Sequence, residues 1–313
     1  MRAVITGGAG FIGSGIVHAA LSGGWEVLVI DDLSTGSVAN LHPAAGFRRL
    51  DVTGPGLAEV IAEARPDVVI HLAAQVSVAA SVADPENDRR VNVGGTRAVA
   101  EAAVVAGARR VLFASSAAVY GEPQELPLTE TSPTEPAVPY GRSKLDAEAV
   151  LAEVLRPAEV DFACLRLANV YGPRQRAEGE GGAVAEFASR MTSGRTPVIF
   201  GTGTQTRDFI FVADVVNAFI EAALHEGVLA GEGPAGPAYN ISTGRATSVL
   251  MLAEGLRVAT RYPGDIEHEP ARPGDVEESV LDSAKAERTF GWRAHVDLQT
   301  GLGGTAAWFT QQA

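Results

Sequence analysis

Thr6-Gly7-Gly8-Ala9-Gly10-Phe11-Ile12-Gly13 follows the short apolar run Ala3-Val4-Ile5 and leads into Ser14-Gly15-Ile16-Val17-His18-Ala19-Ala20-Leu21. Everything else in the fold is read outward from this segment. The run over 2–6 has the length and β-branched content of a buried strand, and the apolar spacing over 11–22 predicts a helix. Glycines at 7, 10 and 13 therefore sit in a strand-to-helix turn. Backbone N–H groups there can approach a dinucleotide pyrophosphate at the helix N-terminus, with no side chain in the way. A second strand over 26–31 ends in Asp31-Asp32, where a carboxylate can accept the adenosine ribose hydroxyls and repel a 2′-phosphate. Residues 32–37 contain no arginine. The cofactor expected from Gly7, Gly10, Phe11, Ile12, Gly13, Asp31 and Asp32 is thus NAD rather than NADP.

The alternation continues beyond this unit. Strands are expected over 2–6, 26–31, 47–51, 67–73, 109–115 and 161–167, with helices over 11–22, 55–64, 88–107 and 140–156. That is the pattern of a doubly wound parallel α/β sheet of Rossmann type. It weakens after residue 168, where glycine-rich stretches at 179–182, 201–203 and 231–236 separate helical runs near 183–194, 213–226, 247–260 and 300–311. Residues 1–168 are read as the NAD-binding domain, with return segments near 207–223 and 275–290. Residues 169–313 are read as a smaller, looser α/β substrate domain, with a surface loop over 227–238.

Bulk composition excludes several classes. The chain has 313 residues, 46% hydrophobic and 20% charged, which suits a large globular core. A net charge of −13 opposes binding to nucleic acid or anionic membranes, so an anionic ligand needs a local arginine pocket. One cysteine, Cys164, allows no internal disulfide and reads as a small apolar residue in a strand. The six histidines show no ligand spacing, and no metal site is expected. The apolar N-terminal run is too short for a signal-peptide core, and the stretch 68–83 falls short of a membrane span, giving an expected cytoplasmic location.

Tyr140 and Lys144 stand four residues apart in Pro139-Tyr140-Gly141-Arg142-Ser143-Lys144, and the chain carries only two lysines among 25 basic side chains. On a helix, positions i and i+4 share a face, so the ammonium falls beside the phenol. A phenol loses its proton near pH ~10, and a nearby cation is the means of making it a base at neutral pH.

With TGGAGFIG, DDLSTG, HLAAQ, SSAAVYG and YGRSK in this order, the chain resembles the extended short-chain dehydrogenase/reductase family, especially its nucleotide-sugar epimerases. The resemblance runs nearly the whole length, since RLANVYGPRQR, GTGTQTRDFIFVADV and ARPGD look like UDP-sugar-binding segments of that group. It implies Tyr140 as base, Lys144 as the group that holds the nicotinamide ribose and lowers the Tyr140 pKa, and Ser116 as hydrogen-bond partner of the reacting sugar hydroxyl. It further implies cofactor contacts from Asp51 and Val52 at the adenine, from Leu72, Ala73, Ala74 and Ser115, and from Asn92 on the nicotinamide side. For the UDP-sugar it implies Arg207 and Arg272 at the diphosphate, Asn169 at the inner phosphate or sugar, the backbone around Val198–Phe200 at the uracil, and Asp275 closing ARPGD. Ser279 matches the position that sets pocket size.

The reaction implied is inversion at C4 through a transient 4-keto sugar. Dehydration needs an acid after the catalytic serine, and Ala117-Ala118 supply none. Arg176 matches an arginine that pairs with a C6 carboxylate, so UDP-glucuronate/UDP-galacturonate stands beside UDP-glucose/UDP-galactose, with UDP-N-acetylglucosamine third. A reductase with exchanging cofactor and net redox shares the same catalytic residues, and a redox-sensing regulator on this fold is a non-enzymatic alternative. Related enzymes form homodimers through two long helices per subunit; here 88–107 and 140–156 would supply them.

Overall fold

The computed structural model describes residues 1–177, 182–233, 235–271 and 276–312. In chain order the first half comprises β1 (Arg2–Thr6), α1 (Phe11–Ser22), β2 (Glu26–Asp31), β3 (Gly46–Arg49), α2 (Leu57–Ala64), β4 (Val68–His71), α3 (Val78–Ala83), α4 (Pro85–Arg89), α5 (Gly95–Val105), β5 (Arg110–Ser116), α6 (Pro139–Leu155) and β6 (Asp161–Leu167). The second half adds β7 (Asn169–Tyr171), α7 (Ala183–Thr192), β8 (Val198–Phe200), β9 (Thr206–Phe211), α8 (Val212–Leu224), β10 (Ala238–Ile241), β11 (Ala246–Ser248), α9 (Val249–Thr260), β12 (Glu267–Glu269), β13 (Glu278–Ser279), α10 (Ala284–Phe290) and α11 (Leu298–Gln312).

The main sheet is seven-stranded in the order β10-β6-β5-β4-β1-β2-β3, and every pairing in it is parallel. Period-two alternation feeds two cores. Ile5, Val29, Ile70, Leu112 and Leu165 face α1 and α8, while Val4, Ile30, Val69, Phe113 and Phe162 face α2, α5 and α6. Cys164 is fully buried among the latter group. Strand order reverses between β1 and β4, which opens a crevice at the carboxyl ends of those strands.

Three features depart from the sequence expectations. The seventh strand, β10, comes from the end of the stretch read as a surface loop, and Leu229 of that stretch is fully buried. The single helix expected over 88–107 is broken. Pro85 opens α4 with Asp84 capping the Asn87 N–H at 3.0 Å, a π-helical turn covers Arg90–Gly94, and α5 follows. The second domain is not loose. Val184, Phe187, Met191, Ile199, Leu252, Leu256 and Leu302 form a third close-packed core, alongside β9, which pairs with β7, β11 and β13.

Helix α8 packs on α1 and α10 lies against β10, whereas β9 belongs to the second sheet. No helix among the described residues is long and apolar enough to cross a membrane.

Candidate active site

The glycine turn works by backbone contact. Gly7 holds a positive φ of 70°, and its N–H donates to Ile30 O at 2.9 Å. A Cβ on Gly13 would lie 2.2 Å from Gly7 O, and one on Gly7 2.7 Å from Ala73 N. Helix α1 therefore starts as close to β1 and β4 as a chain can pass, and its first turn carries no acidic side chain. Free N–H groups and an unopposed helix dipole fit the pyrophosphate of a dinucleotide. Asp31 accepts from Ala9 N at 2.9 Å and Leu33 N at 2.8 Å, so it ties the glycine turn to the loop that follows β2. Burial raises its pKa, and those two N–H bonds oppose the rise.

A cavity of about 610 Å³ runs along this crevice. Gly7, Gly10, Phe11, Ile12 and Gly13 line its centre, and Asp31, Asp32, Asp51 and Val52 one end. Leu72, Ala73, Ala74, Ser115, Ser116, Tyr140 and Lys144 line the other parts of its wall. Sixteen residues assigned to cofactor or catalysis from sequence thus converge on one space.

The catalytic end is built by helix α6. Gly141 brings it in, because a Cβ there would lie 2.3 Å from Ala118 O, in the turn that begins at Ser116. The Tyr140 N–H donates to Ser81 Oγ of α3 at 3.1 Å, fixing the first turn of the helix. Ser116 Oγ accepts the Ala118 N–H at 3.1 Å, which leaves its own hydroxyl proton for a ligand. Lys144 is buried, donates to Ala114 O at 2.8 Å, and lies 5.9 Å from the Tyr140 ring centroid. Burial lowers Lys144 to about 8, against the pull of Asp88 and Glu148. Behind it His71 accepts from Thr6 Oγ1 at 2.7 Å and donates from Nε2 to Thr96 Oγ1 at 3.0 Å, because the Thr96 hydroxyl proton is committed to Asn92 O. Burial, then the Lys144 charge, takes His71 down to about 3, so it is a neutral spacer.

A description of NAD dependent epimerases and dehydratases matches residues 3–242. The chain belongs to that family. Its cofactor is NAD and it is an isomerase. It is 41% identical over 319 residues to UDP-glucose 4-epimerase of Mycolicibacterium smegmatis, covering 100% of each chain. The UDP-glucose 4-epimerase of Thermotoga maritima, solved with UDP-glucose, superposes with a TM-score of 0.93 at 38% identity, covering 100% of this chain and 99% of that one. The NAD complex of the Thermus thermophilus UDP-glucose 4-epimerase gives 0.90 at 36% identity, covering 99% of each.

In this family member a second cavity, about 190 Å³, adjoins the first, and Val170 and Gln175 line both. Asn169 and Arg207 are on its wall. Val198 and Phe200 are not; they lie in β8 with the Phe200 carbonyl held by Gln205 Nε2 at 3.0 Å, although Gln205 does line the cavity. Ser279 pairs with Arg207 across β13 and β9. Arg272 and Asp275 lie outside the described residues.

Two sequence expectations change. Asn92 is off the cavity wall: its side chain accepts from Gln75 N at 2.8 Å and donates to Gln75 O at 3.1 Å, so it shapes the wall from behind. Arg176 is exposed and donates to Thr35 O at 3.1 Å, on the cofactor side, and lines neither cavity. The residue that enters is its neighbour Gln175, 5% exposed, whose Oε1 has no hydrogen-bond partner among the described residues. Gln175 is held by its Nε2 donating to Val170 O at 3.1 Å, whereas Arg176 points to Thr35. Arg90 was also missed. It lines the first cavity 3.7 Å from Asp51 and donates to Asn87 Oδ1 at 3.0 Å. Nothing in the run Arg89-Arg90 indicated which arginine would face inward.

Proposed function

We propose that the protein is a 4-epimerase interconverting UDP-glucose and UDP-galactose with retained NAD. The observation that carries this reading is the junction of the two cavities. Ser116, Tyr140 and Lys144 line the first, Asn169 and Arg207 line the second, and Val170 and Gln175 belong to both. A nucleotide anchored in the second cavity would thus present its sugar to the base.

NAD, which the glycine turn and Asp31 would hold, would supply the acceptor for the sugar C4 hydride and the same hydride for its return. Tyr140 takes the C4 hydroxyl proton and gives it back after the sugar has turned over, so proton and hydride both balance. Lys144 supplies the positive charge beside the phenolate. Ser116, with its proton uncommitted to protein, hydrogen-bonds the reacting oxygen. Arg207 offers a guanidinium fork to the diphosphate. Gln175, with a buried carbonyl oxygen that lacks a donor, can accept from a sugar hydroxyl. Anchoring the nucleotide while leaving the sugar few fixed contacts is what inversion requires.

The neutral sugar is preferred over the uronate because Arg176, the residue that would pair with a C6 carboxylate, is turned to Thr35 O. Full-length likeness to UDP-glucose 4-epimerases supports the same choice. The reading includes a homodimer through α5 and α6, where Arg97 and Glu153 already pair across the two helices at 2.8 Å; light scattering of the purified protein tests it. The deciding assay is NMR of the anomeric signals after incubation with UDP-glucose or UDP-glucuronate, with no NAD added. UDP-galactose forming faster than UDP-galacturonate is expected. A faster uronate would restore the carboxylate role of Arg176, and turnover only with external cofactor would replace epimerisation by net redox.

A further inference from the structure

Behind the cavity wall lies a carboxylate that the reaction as described does not use. Asp88 on α4 is 1% exposed. Its Oδ1 accepts from Gln75 Nε2 at 2.7 Å and from Asn92 Nδ2 at 3.1 Å, while its Oδ2 is shielded from solvent and makes no hydrogen bond among the described residues. A buried carboxylate with a bare oxygen is costly unless a charge compensates it. No described Lys, Arg or His forms a contact ion pair with Asp88.

The complementary problem is Lys144, an ammonium 3% exposed whose hydrogen-bond partner is one backbone carbonyl. The groups around it can be sorted by charge. His71 on β4 is neutral, and Phe113 on β5 offers only its ring, 4.8 Å away. Tyr140 and Glu148 lie one turn to either side on α6 itself. Glu148, however, is committed. Arg166 of β6 binds both its oxygens, at 3.0 Å and 2.7 Å, and Ser115 donates to one of them. Taken together, Glu148 and Arg166 carry almost no net charge. Asp88 raises Lys144 against burial and is the buried carboxylate for which the described residues provide no contact ion pair. Asn92 links the two sites, since Nδ2 also approaches Ser143 Oγ at 3.0 Å, next to Lys144 in the chain.

We propose that Asp88 is the counter-ion of Lys144, a positioning residue that holds the ammonium charged at neutral pH and so keeps Tyr140 able to take the substrate proton. The proposal rests on the roles given to Tyr140 and Lys144 in the epimerisation above. Asp88 is not itself on the cavity wall, and in this proposal it reaches the reacting groups through Lys144. Gln75 and Asn92 hold Oδ1 in place, leaving Oδ2 for the longer-range attraction.

The sign of the effect follows from burial. Desolvation already brings Lys144 down from 10.5 to about 8 with Asp88 present. Removing that negative charge lowers it further, so Lys144 loses its proton at a lower pH and the alkaline limb of activity moves toward neutrality.

The chain makes a direct test possible, because Lys144 and Lys285 are its only lysines. The NAD-loaded protein is labelled with 13Cε-lysine, giving two titrating signals that Lys285→Arg assigns. In Asp88→Asn the Lys144 midpoint is expected to fall by at least one pH unit, a tenfold change in proton affinity, while the Lys285 midpoint stays put. In parallel, kcat for UDP-glucose should drop more at high pH than at pH 6.5, with KM unchanged. A purely structural role would lower kcat by one factor at every pH, and an unmoved Lys144 midpoint overturns the proposal. Asp88→Ser serves if the asparagine variant does not fold, and a wild-type midpoint below pH 7 overturns the proposal without any variant. The NMR titration needs no turnover. A shifted midpoint in a protein inactive on both sugars would retain the counter-ion and remove the substrate reading; activity with an unshifted midpoint would do the reverse.

Discussion

Gly13→Ala adds one methyl group at the tightest point of the cofactor turn. The new Cβ would stand 2.2 Å from Gly7 O, 2.9 Å from Gly7 C and 2.9 Å from Gly8 Cα. All three are backbone atoms, so no side chain can swing aside. An ordinary carbon–oxygen contact is longer by roughly 1 Å, so the start of α1 must retreat from the turn by about that much. Overpacking of this kind costs about 1–3 kcal/mol of stability. The effect on the cofactor should be larger, because the N–H groups that face the pyrophosphate move with the helix, and a ~1 Å misplacement of a positioning group can cost on the order of 100-fold. The assay is the NAD content per subunit of the purified protein, read by absorbance after denaturation, beside thermal melting. Gly303→Ala is the control: nothing lies within 4 Å of its added Cβ, it sits inside α11, and alanine there should stabilise by about 0.5–1 kcal/mol. If Gly13→Ala keeps wild-type NAD content and melting temperature, the close-approach argument is wrong.

Tyr140→Phe should retain NAD yet lose at least 100-fold in kcat, measured by conversion of UDP-glucose; normal turnover would remove Tyr140 as the base. Gly141→Ala drives a methyl into Ala118 O and should part Ser116 from Tyr140, lowering kcat while NAD content stays normal. Arg110 is 2% exposed, pairs with Asp161 at 2.6 Å and donates to the carbonyls of Ala222, His225 and Gly227 at the end of α8. Arg110→Met should cost about 3–5 kcal/mol in urea unfolding, and a loss below about 1 kcal/mol would mean those carbonyls find other donors. His71 titrates near 6.5 when unfolded and at about 3 when folded, so between those values the unfolded state binds the extra proton. Stability should therefore fall as pH drops from 6.5 towards 3, by about 1.4 kcal/mol per pH unit from this group, and His71→Gln should flatten that slope.

The first half of the fold was legible because its signals are local. Strand and helix periods, the glycines at 7, 10 and 13, and the Tyr140–Lys144 spacing survive without knowledge of partners. Strand β10 escaped because four residues, Ala238–Ile241, carry too short a pattern to outvote the glycine and proline before them. The expected single helix over 88–107 failed at the π turn Arg90–Gly94, where apolar spacing alone does not reveal a change in hydrogen-bond register. At the site, most of the segments named by resemblance line the two cavities, while Asn92 and Arg176 lie off their walls.

By itself the sequence determined the glycine turn after β1 and the placing of Tyr140 and Lys144 on one helical face. Both depend on backbone sterics and on the fixed geometry of one helical turn, and both lie within a few residues of chain. Tertiary structure decided which members of each polar run face inward. Gln175 enters the junction of the two cavities, its Nε2 tied to Val170 O, while Arg176 leaves it for Thr35 O, and the chain alone does not reveal that either carbonyl comes near these residues. Asn92 faces the back of Gln75 rather than the cavity, and Asp88 comes to share buried space with Lys144, because α4 and α6 pack together. Charge and burial are properties of the assembled neighbourhood, so no reading of Asp88 or Lys144 along the chain could have paired them.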